Sequence, residues 1–188
     1  MVGSPLAAAT GAGLTYEDLV NLPEDGRRYE ILDGDLVVTA SPITRHQRVS
    51  RNLAVALHLH VREKGLGEVF NAPIDVLLDR HTIVVPDLVF ISTARSSIIQ
   101  RHGIVGVPDL LVEILSPSTA ERDRDTKAKL YARFGVDHYW IVDAESEELQ
   151  VYMRDGASYR EPVIHRGRAV VRAAPFADLA LDLGAVWE

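Results

Sequence analysis

The sequence contains no cysteine, and only three of its 20 basic residues are lysine: Lys64, Lys127 and Lys129. The first absence excludes a disulfide framework, a thiolate metal site and a cysteine nucleophile. It also fits a reducing compartment, by expectation the cytoplasm. The second makes every lysine worth placing, because the other cations are all arginines. No apolar run reaches the ~18 residues that a membrane helix requires, so no membrane partner is expected. Positive charge is scarce too: 27 acidic residues leave a formal charge of -7 over 188 residues, which argues against indiscriminate nucleic-acid binding. Phosphate-loop, nucleophile-elbow and zinc-helix motifs are missing, as are internal repeats. What is present is ordinary for a globular protein, 47% apolar and 25% charged residues.

Residues 1–13 are small and uncharged, lack the basic start of a secretory signal, and read as a disordered tail. Residues 14–188 read as one domain. Thr15 is placed to cap a short helix that Pro23 stops, and Asp33-Gly34 marks a hairpin between 28–32 and 35–39. Val49, Leu53, Leu57 and Val61 recur at helical spacing, predicting a helix over 42–64 that Gly65 and Gly67 end. Strands are predicted over 73–78, over the nearly continuous apolar run 82–92, and over 109–115. Ser118 and Glu121 form the pattern of a capping box for a second helix, which Gly135 closes before another apolar strand over 138–143. The span 109–143 is therefore a βαβ unit with parallel strands. A last hairpin turns at Asp155-Gly156. The fold class is α/β with a mixed sheet: an N-terminal helix and hairpin, an αβββαβ core, and a C-terminal β-hairpin.

Two acids stand where a strand should be apolar. Asp87 interrupts Val84-Val85-Pro86-Asp87-Leu88-Val89, and Glu113 interrupts Leu111-Val112-Glu113-Ile114-Leu115. An unpaired buried carboxylate costs several kcal/mol, so each needs a cation, a proton, an arginine partner or a solvated strand end. Asp109 shares the face of Glu113 but sits at an element start. On the second helix, Leu130, Tyr131 and Phe134 define the inward stripe, and steps of three and four place Lys127 and Asp123 on it, whereas Lys129 falls on the charged face. Lys127 then points back toward the strand that carries Glu113, or else merely pairs with Asp123. Two carboxylates on adjacent strands with a lysine form a hard-ligand kit: the acids hold Mg²⁺ or Mn²⁺, and the lysine orients a water or offsets developing phosphorane charge.

At these residues the sequence resembles the PD-(D/E)XK restriction-endonuclease-like superfamily, and within it the Uma family of restriction endonucleases (domain of unknown function 820). The resemblance is carried by 28–34 (Arg-Tyr-Glu-Ile-Leu-Asp-Gly), 85–87 (Val-Pro-Asp), 107–118 from Val107 to Ser118, 123–127, and 135–143 from Gly135 to Asp143. It implies an αβββαβ core, Asp87 and Glu113 as metal ligands, and Lys127 as the catalytic lysine. The lysine that the superfamily places two residues after the glutamate is here Leu115, so the resemblance implies a lysine moved onto the following helix. Glu30 matches a family position and is either a further acid near the metal or a structural partner of Arg27 or Arg28. His46 matches a family histidine, for contact with a phosphate or the attacking water, against the alternative of a plain surface position. A homodimer or higher homo-oligomer is implied by analogy.

Between 42 and 64, Arg45, Arg48, Arg51, Arg62 and Lys64 face only Glu63. Such a helix can track a phosphate backbone, with Arg45 and Arg48 nearest its start, or be a solvated face. The leading expectation is a metal-dependent endonuclease that hydrolyses phosphodiesters, with DNA as the partner. The alternative is an inactive nuclease-like module that binds or scaffolds, favoured by Leu115 and the negative charge. Glycoside hydrolysis by a carboxylate pair fits two acids inside apolar strands less well.

Overall fold

The computed structural model describes residues 13–23, 25–39 and 41–188. The tail expected over 1–13 lies, but for Gly13, outside the described residues. In chain order the elements are α1 (Tyr16–Leu19), β1 (Arg28–Leu32), β2 (Asp35–Thr39), α2 (Thr44–Lys64), β3 (Gly67–Asn71), β4 (Val76–Asp79), β5 (Thr82–Val84), β6 (Leu88–Ser92), β7 (Ile99–Gln100), β8 (Gly103–Val105) and β9 (Leu110–Ile114). A helix in three parts follows: α3 (Ala120–Arg122), a π-helical turn (Asp123–Lys127) and α4 (Ala128–Phe134). The chain continues with β10 (His138–Asp143), β11 (Glu148–Asp155), β12 (Ser158–Tyr159), β13 (Val163–Arg166), β14 (Val170–Ala173), β15 (Phe176–Asp182) and α5 (Leu183–Trp187).

The main sheet runs β11-β10-β9-β6-β3, with β12 and β13 both paired to the outer side of β11. The pair β9 and β10 is parallel and the rest antiparallel, so α2, β3, β6, β9, α3–α4 and β10 realise the αβββαβ order. A second sheet runs β2-β1-β5-β4-β8-β7. Alternation divides the apolar side chains between two cores. Leu88, Phe90, Leu110, Val112, Trp140 and Val142 face α2, α5 and the β14–β15 hairpin. Val89, Ile91, Leu111, Tyr139 and Ile141 face α4 and the second sheet.

The apolar run over 82–92 is two strands, not one. Pro86 has no N–H to give to a ladder, and around it the chain leaves one sheet for the other: Ile83 pairs with β1 and Leu88 with β3 and β9. The strand expected over 73–78 is β4, which belongs to the second sheet. The first strand of the core is instead β3, hidden from the sequence by the glycine that opens it. A Cβ on Gly67, at φ 151°, would stand 2.0 Å from the carbonyl oxygen of Ile91. Gly67 therefore serves close strand approach, and Gly65, in the left-handed region, ends α2. Gly67→Ala is expected to cost more than about 1 kcal/mol, read as a lower urea midpoint, whereas Gly156→Ala, with open space at its Cβ, costs less.

Two further expectations are corrected. The capping box at Ser118 and Glu121 does not form: Thr119 is the N-cap, and its hydroxyl turns back to the backbone N–H and side chain of Ser116. The hairpin at Gly156 is not the last one, because β14, β15 and α5 follow and close the core over α2. Trp140 Nε1 donates to the carbonyl of Ala174 in that hairpin at 2.7 Å. At the other end, the Asp18 carboxylate accepts from both the backbone N–H and the hydroxyl of Thr15, as expected for the start of α1.

Candidate active site

The β6–β9 register pairs Leu88 with Val112 and, carried one residue further, sets Asp87 opposite Glu113. Both side chains then fall on the same face, toward α4 and the second sheet. Because Asp87 stands where the chain crosses between sheets, its carboxylate takes over from the ladder. Asp87 Oδ2 accepts the N–H of Ile114 at 2.8 Å and lies 3.1 Å from His46 Nε2, while Oδ1 lies 3.4 Å from Arg28 Nη1. An acceptor at Oδ2 requires the proton on Nε2 of His46, which leaves Nδ1 buried and without a partner among the described residues.

Beside this carboxylate, Lys127 reaches inward from the π-helical turn. Its Nζ is 2.8 Å from Glu30 Oε1 and 2.9 Å from Glu113 Oε1, with Asp123 Oδ1 at 3.9 Å. Tyr131, one turn later, donates to the same Glu113 oxygen at 2.7 Å. Glu30 is held in turn by the backbone N–H of Val85 at 2.8 Å. The carbonyl of Asp123 accepts the hydroxyl of Tyr139 at 3.0 Å, which ties this part of the helix to β10. Lys127 is only 3% exposed and Lys129, two residues on, is 76% exposed at its side chain.

Charge is the dominant feature of this site. Glu30, Asp87, Glu113 and Asp123 are all at least nine-tenths buried, against two permanent cations, Lys127 and Arg28. The four carboxylates and two cations leave the cluster a formal charge of -2. Burial would lower the pKa of Lys127, but Glu113, Glu30 and Asp123 outweigh it and hold the ammonium firmly charged. Burial would raise Asp87, but the His46 and Ile114 hydrogen bonds and Arg28 keep it below its ordinary value. Glu113 goes the other way: burial, with Asp123, Asp87 and Glu30 nearby, raises it well above the ordinary range despite Lys127. Without another positive charge, a proton on Glu113 is what limits the excess.

A divalent cation would remove that excess entirely. Asp87 and Glu113 line one cavity of about 30 Å³, space for one or two waters or a single ion, with Thr119, Ser116 and Lys127 around it. Tyr131 and Lys127 both engage Oε1 of Glu113, which leaves its Oε2 free of both, and Asp87 and Glu113 are the residues that would hold an ion. Among the described residues no three His, Asp or Glu side chains converge at metal-binding geometry. Two carboxylates are nonetheless the usual protein share for Mg²⁺, which keeps several waters and fills its shell from substrate phosphate. The donor set thus suits Mg²⁺ or Mn²⁺ and, with no thiolate and one histidine already bound to Asp87, suits zinc poorly.

Of the residues singled out from the sequence, Glu30, His46, Asp87, Glu113 and Lys127 come together. His46 is buried, not on the surface, and its place on the Val49–Leu53–Leu57 stripe of α2 was the signal for it. Glu30 pairs with Lys127 and not with Arg27 or Arg28. Arg45 turns away: its Nε donates to the carbonyl of Ala144 at 2.8 Å, and Glu145 and Glu147 lie within 4 Å. Arg48 is exposed on α2 and does not line the carboxylate cavity. Asp109 faces the opposite strand end, where it accepts the N–H of Ser92 at 2.7 Å. Arg28 has no local signal as a partner of Asp87, since a contact 59 residues away is set by the sheet register, whereas Tyr131 stands on the inward stripe and only its partner, Glu113, is not legible.

Mixed sheets flanked by helices, with buried acids and a lysine at the end of the central strands, define a nuclease-like α/β fold. The chain belongs to the Uma2 family, described as "Putative restriction endonuclease", whose model matches residues 16–184. A crystal structure described as a "putative nuclease belonging to DUF820" from Anabaena variabilis shares this fold with a TM-score of 0.76, covering 93% of this chain and 97% of that one at 19% identity. The chain is also 26% identical over 145 residues to the "Uncharacterized protein slr1290" of Synechocystis sp., 76% of this chain and 75% of that protein. Among the described residues no helix is long and apolar enough to cross a membrane.

Proposed function

We propose that the protein is a metal-dependent endonuclease of the PD-(D/E)XK type that hydrolyses phosphodiester bonds in DNA. The observation that carries this reading is the shared cavity of Asp87, Glu113 and Lys127, where four buried carboxylates exceed the fixed cations by two charges. Asp87 and Glu113 would hold Mg²⁺ or Mn²⁺. When bound, such an ion acidifies a water and screens the phosphodiester.

The remaining work falls to side chains already in place. Lys127 has three N–H donors, and Glu30 and Glu113 take two of them, with Asp123 beyond hydrogen-bond distance. The third serves the attacking water or a non-bridging phosphate oxygen. Because its neighbours hold Lys127 charged, it acts as a donor and an electrostatic stabiliser and not as a base. Glu30 and Tyr131 are positioning residues: the first fixes the ammonium, the second fixes the Glu113 carboxylate. His46 holds Asp87 from behind, as outer hydrogen-bond partners do for metal-binding carboxylates.

Adding Mg²⁺ or Mn²⁺ to chelator-treated protein is expected to raise its unfolding temperature. Saturation at about 100 times the dissociation constant adds about 2.7 kcal/mol. The shift should disappear in Asp87→Asn. Equal melting with and without the ions would leave the fold without a metal function and favour a binding or scaffolding module.

A further inference from the structure

Next to the carboxylate cavity is a second, larger groove of about 400 Å³, and Arg28 and Asp87 line both. One wall of this groove is the outward face of α2. There Val55 and Leu59, one helical turn apart, are 54% and 61% exposed and form an aliphatic pair beside a cluster of charge. The groove is otherwise basic or neutral: among its described lining residues Asp87 is the only acid, and Arg51 stands next to the aliphatic pair.

Arg51 is unlike most arginines of this chain. Arg27, Arg45, Arg95, Arg124, Arg133 and Arg154 all meet carboxylates. Among the described residues Arg51 meets none. Its Nε and Nη2 donate instead to Asn52 Oδ1 at 3.1 and 2.9 Å, and Asn52 Nδ2 is anchored on the carbonyls of Ala185 and Val186 at 3.1 and 3.3 Å. A guanidinium oriented by a neutral side chain keeps its full charge and its remaining donors for an anion.

We propose that this groove seats an unpaired nucleotide of the DNA strand being cut, next to the scissile phosphate. The base lies on Val55 and Leu59, and its outer phosphate meets Arg51. This rests on the nuclease reading, which places the scissile phosphate at Asp87. The volume falls in the range of small-molecule pockets, about 300–1,000 Å³, and suits a single nucleotide rather than a stacked pair. An apolar wall is useful to a base only once that base is out of the duplex, with its face free to be covered. The substrate is therefore single-stranded DNA, or a duplex that frays or flips at the cut.

The test is fluorescence anisotropy in chelator, where nothing is cleaved, with one labelled oligonucleotide presented single-stranded and as a duplex. Wild type should bind the single strand at least about tenfold more tightly than the duplex. Arg51→Glu and Leu59→Glu should each weaken single-strand binding by about tenfold or more with unchanged melting temperatures, while Arg160→Glu, on a distant exposed pair, binds as wild type does. Equal or tighter duplex binding, or wild-type affinity in both groove variants, would overturn the proposal. If Leu59→Glu also cleaves single-stranded DNA normally while Asp87→Asn does not, the groove is wrong and the nuclease reading stands. Groove-dependent single-strand binding by a protein that cleaves nothing refutes the nuclease reading, and with it the scissile-phosphate placement, and upholds the groove only as a seat for an unpaired nucleotide.

Discussion

Lys127→Met is expected to lower the stability of the protein by about 3–5 kcal/mol, the cost of removing one partner from a buried ion pair and stranding the others. For a chain of this size that is a fall of roughly 6–20 °C in melting temperature. The reason lies in the arrangement of its neighbours. Glu30 and Glu113 each lose their short contact to the ammonium, and Asp123 loses the Lys127 charge at 3.9 Å, with all three carboxylates buried. The same substitution at Lys129 removes only an exposed i,i+4 contact with Asp125 and should change stability by less than about 0.5 kcal/mol. Adding Glu30→Gln to Lys127→Met should restore part of the loss, because it removes a stranded charge but keeps an acceptor for the N–H of Val85. Urea unfolding of the four proteins checks the set; equal losses at 127 and 129 would contradict the burial-based account.

Asp87→Asn is expected to reduce DNA cleavage by roughly 10²–10³, the scale of losing one preorganised electrostatic group. It should leave the fold almost intact. The amide oxygen still accepts the Ile114 N–H and the His46 N–H, and only the 3.4 Å contact with Arg28 turns unfavourable. Stability and activity thus part company at this position, unlike at Lys127, where both should fall. Comparing the cleavage rates and melting temperatures of the two variants checks this separation. A stable Asp87→Asn protein with wild-type cleavage would remove Asp87 from the chemistry.

How far the sequence foretells this arrangement depends on the range of the interaction. Helical spacing alone put Lys127 and Asp123 inward and Lys129 outward, although the turn that carries them is π-helical, because Leu130, Tyr131 and Phe134 follow at ordinary spacing. The parallel β9–β10 pair also follows from periodicity and from the crossover rule, but periodicity reaches the order αβββαβ with β4 in the place that β3 holds. The sheet to which each strand belongs does not. Thr82–Ser92 reads as one apolar strand, since both halves are buried on both faces, and only Pro86 hints that the halves pair with different neighbours. Gly67 reads as a helix stop because close backbone approach to Ile91 is a tertiary fact. His46 was legible as the first member of the buried stripe of α2, but a charged sequence context conceals it. Arg28 meets Asp87, and the C-terminal helix anchors the Asn52 side chain that orients Arg51, only because distant segments are brought together. The net charge of -7 does not describe the surface alone, since four of the acids are gathered in one buried cluster.

The central claim is that this cluster cleaves DNA with the help of a divalent cation. Its most direct test is cleavage of a labelled single-stranded DNA and of a circular plasmid by purified wild-type and Asp87→Asn proteins, each with Mg²⁺, with Mn²⁺ and with chelator. Cleavage by wild type that chelator abolishes and that Asp87→Asn loses by at least about 100-fold is the predicted result. Cleavage of equal rate in both proteins, or none by wild type in either ion, would contradict it.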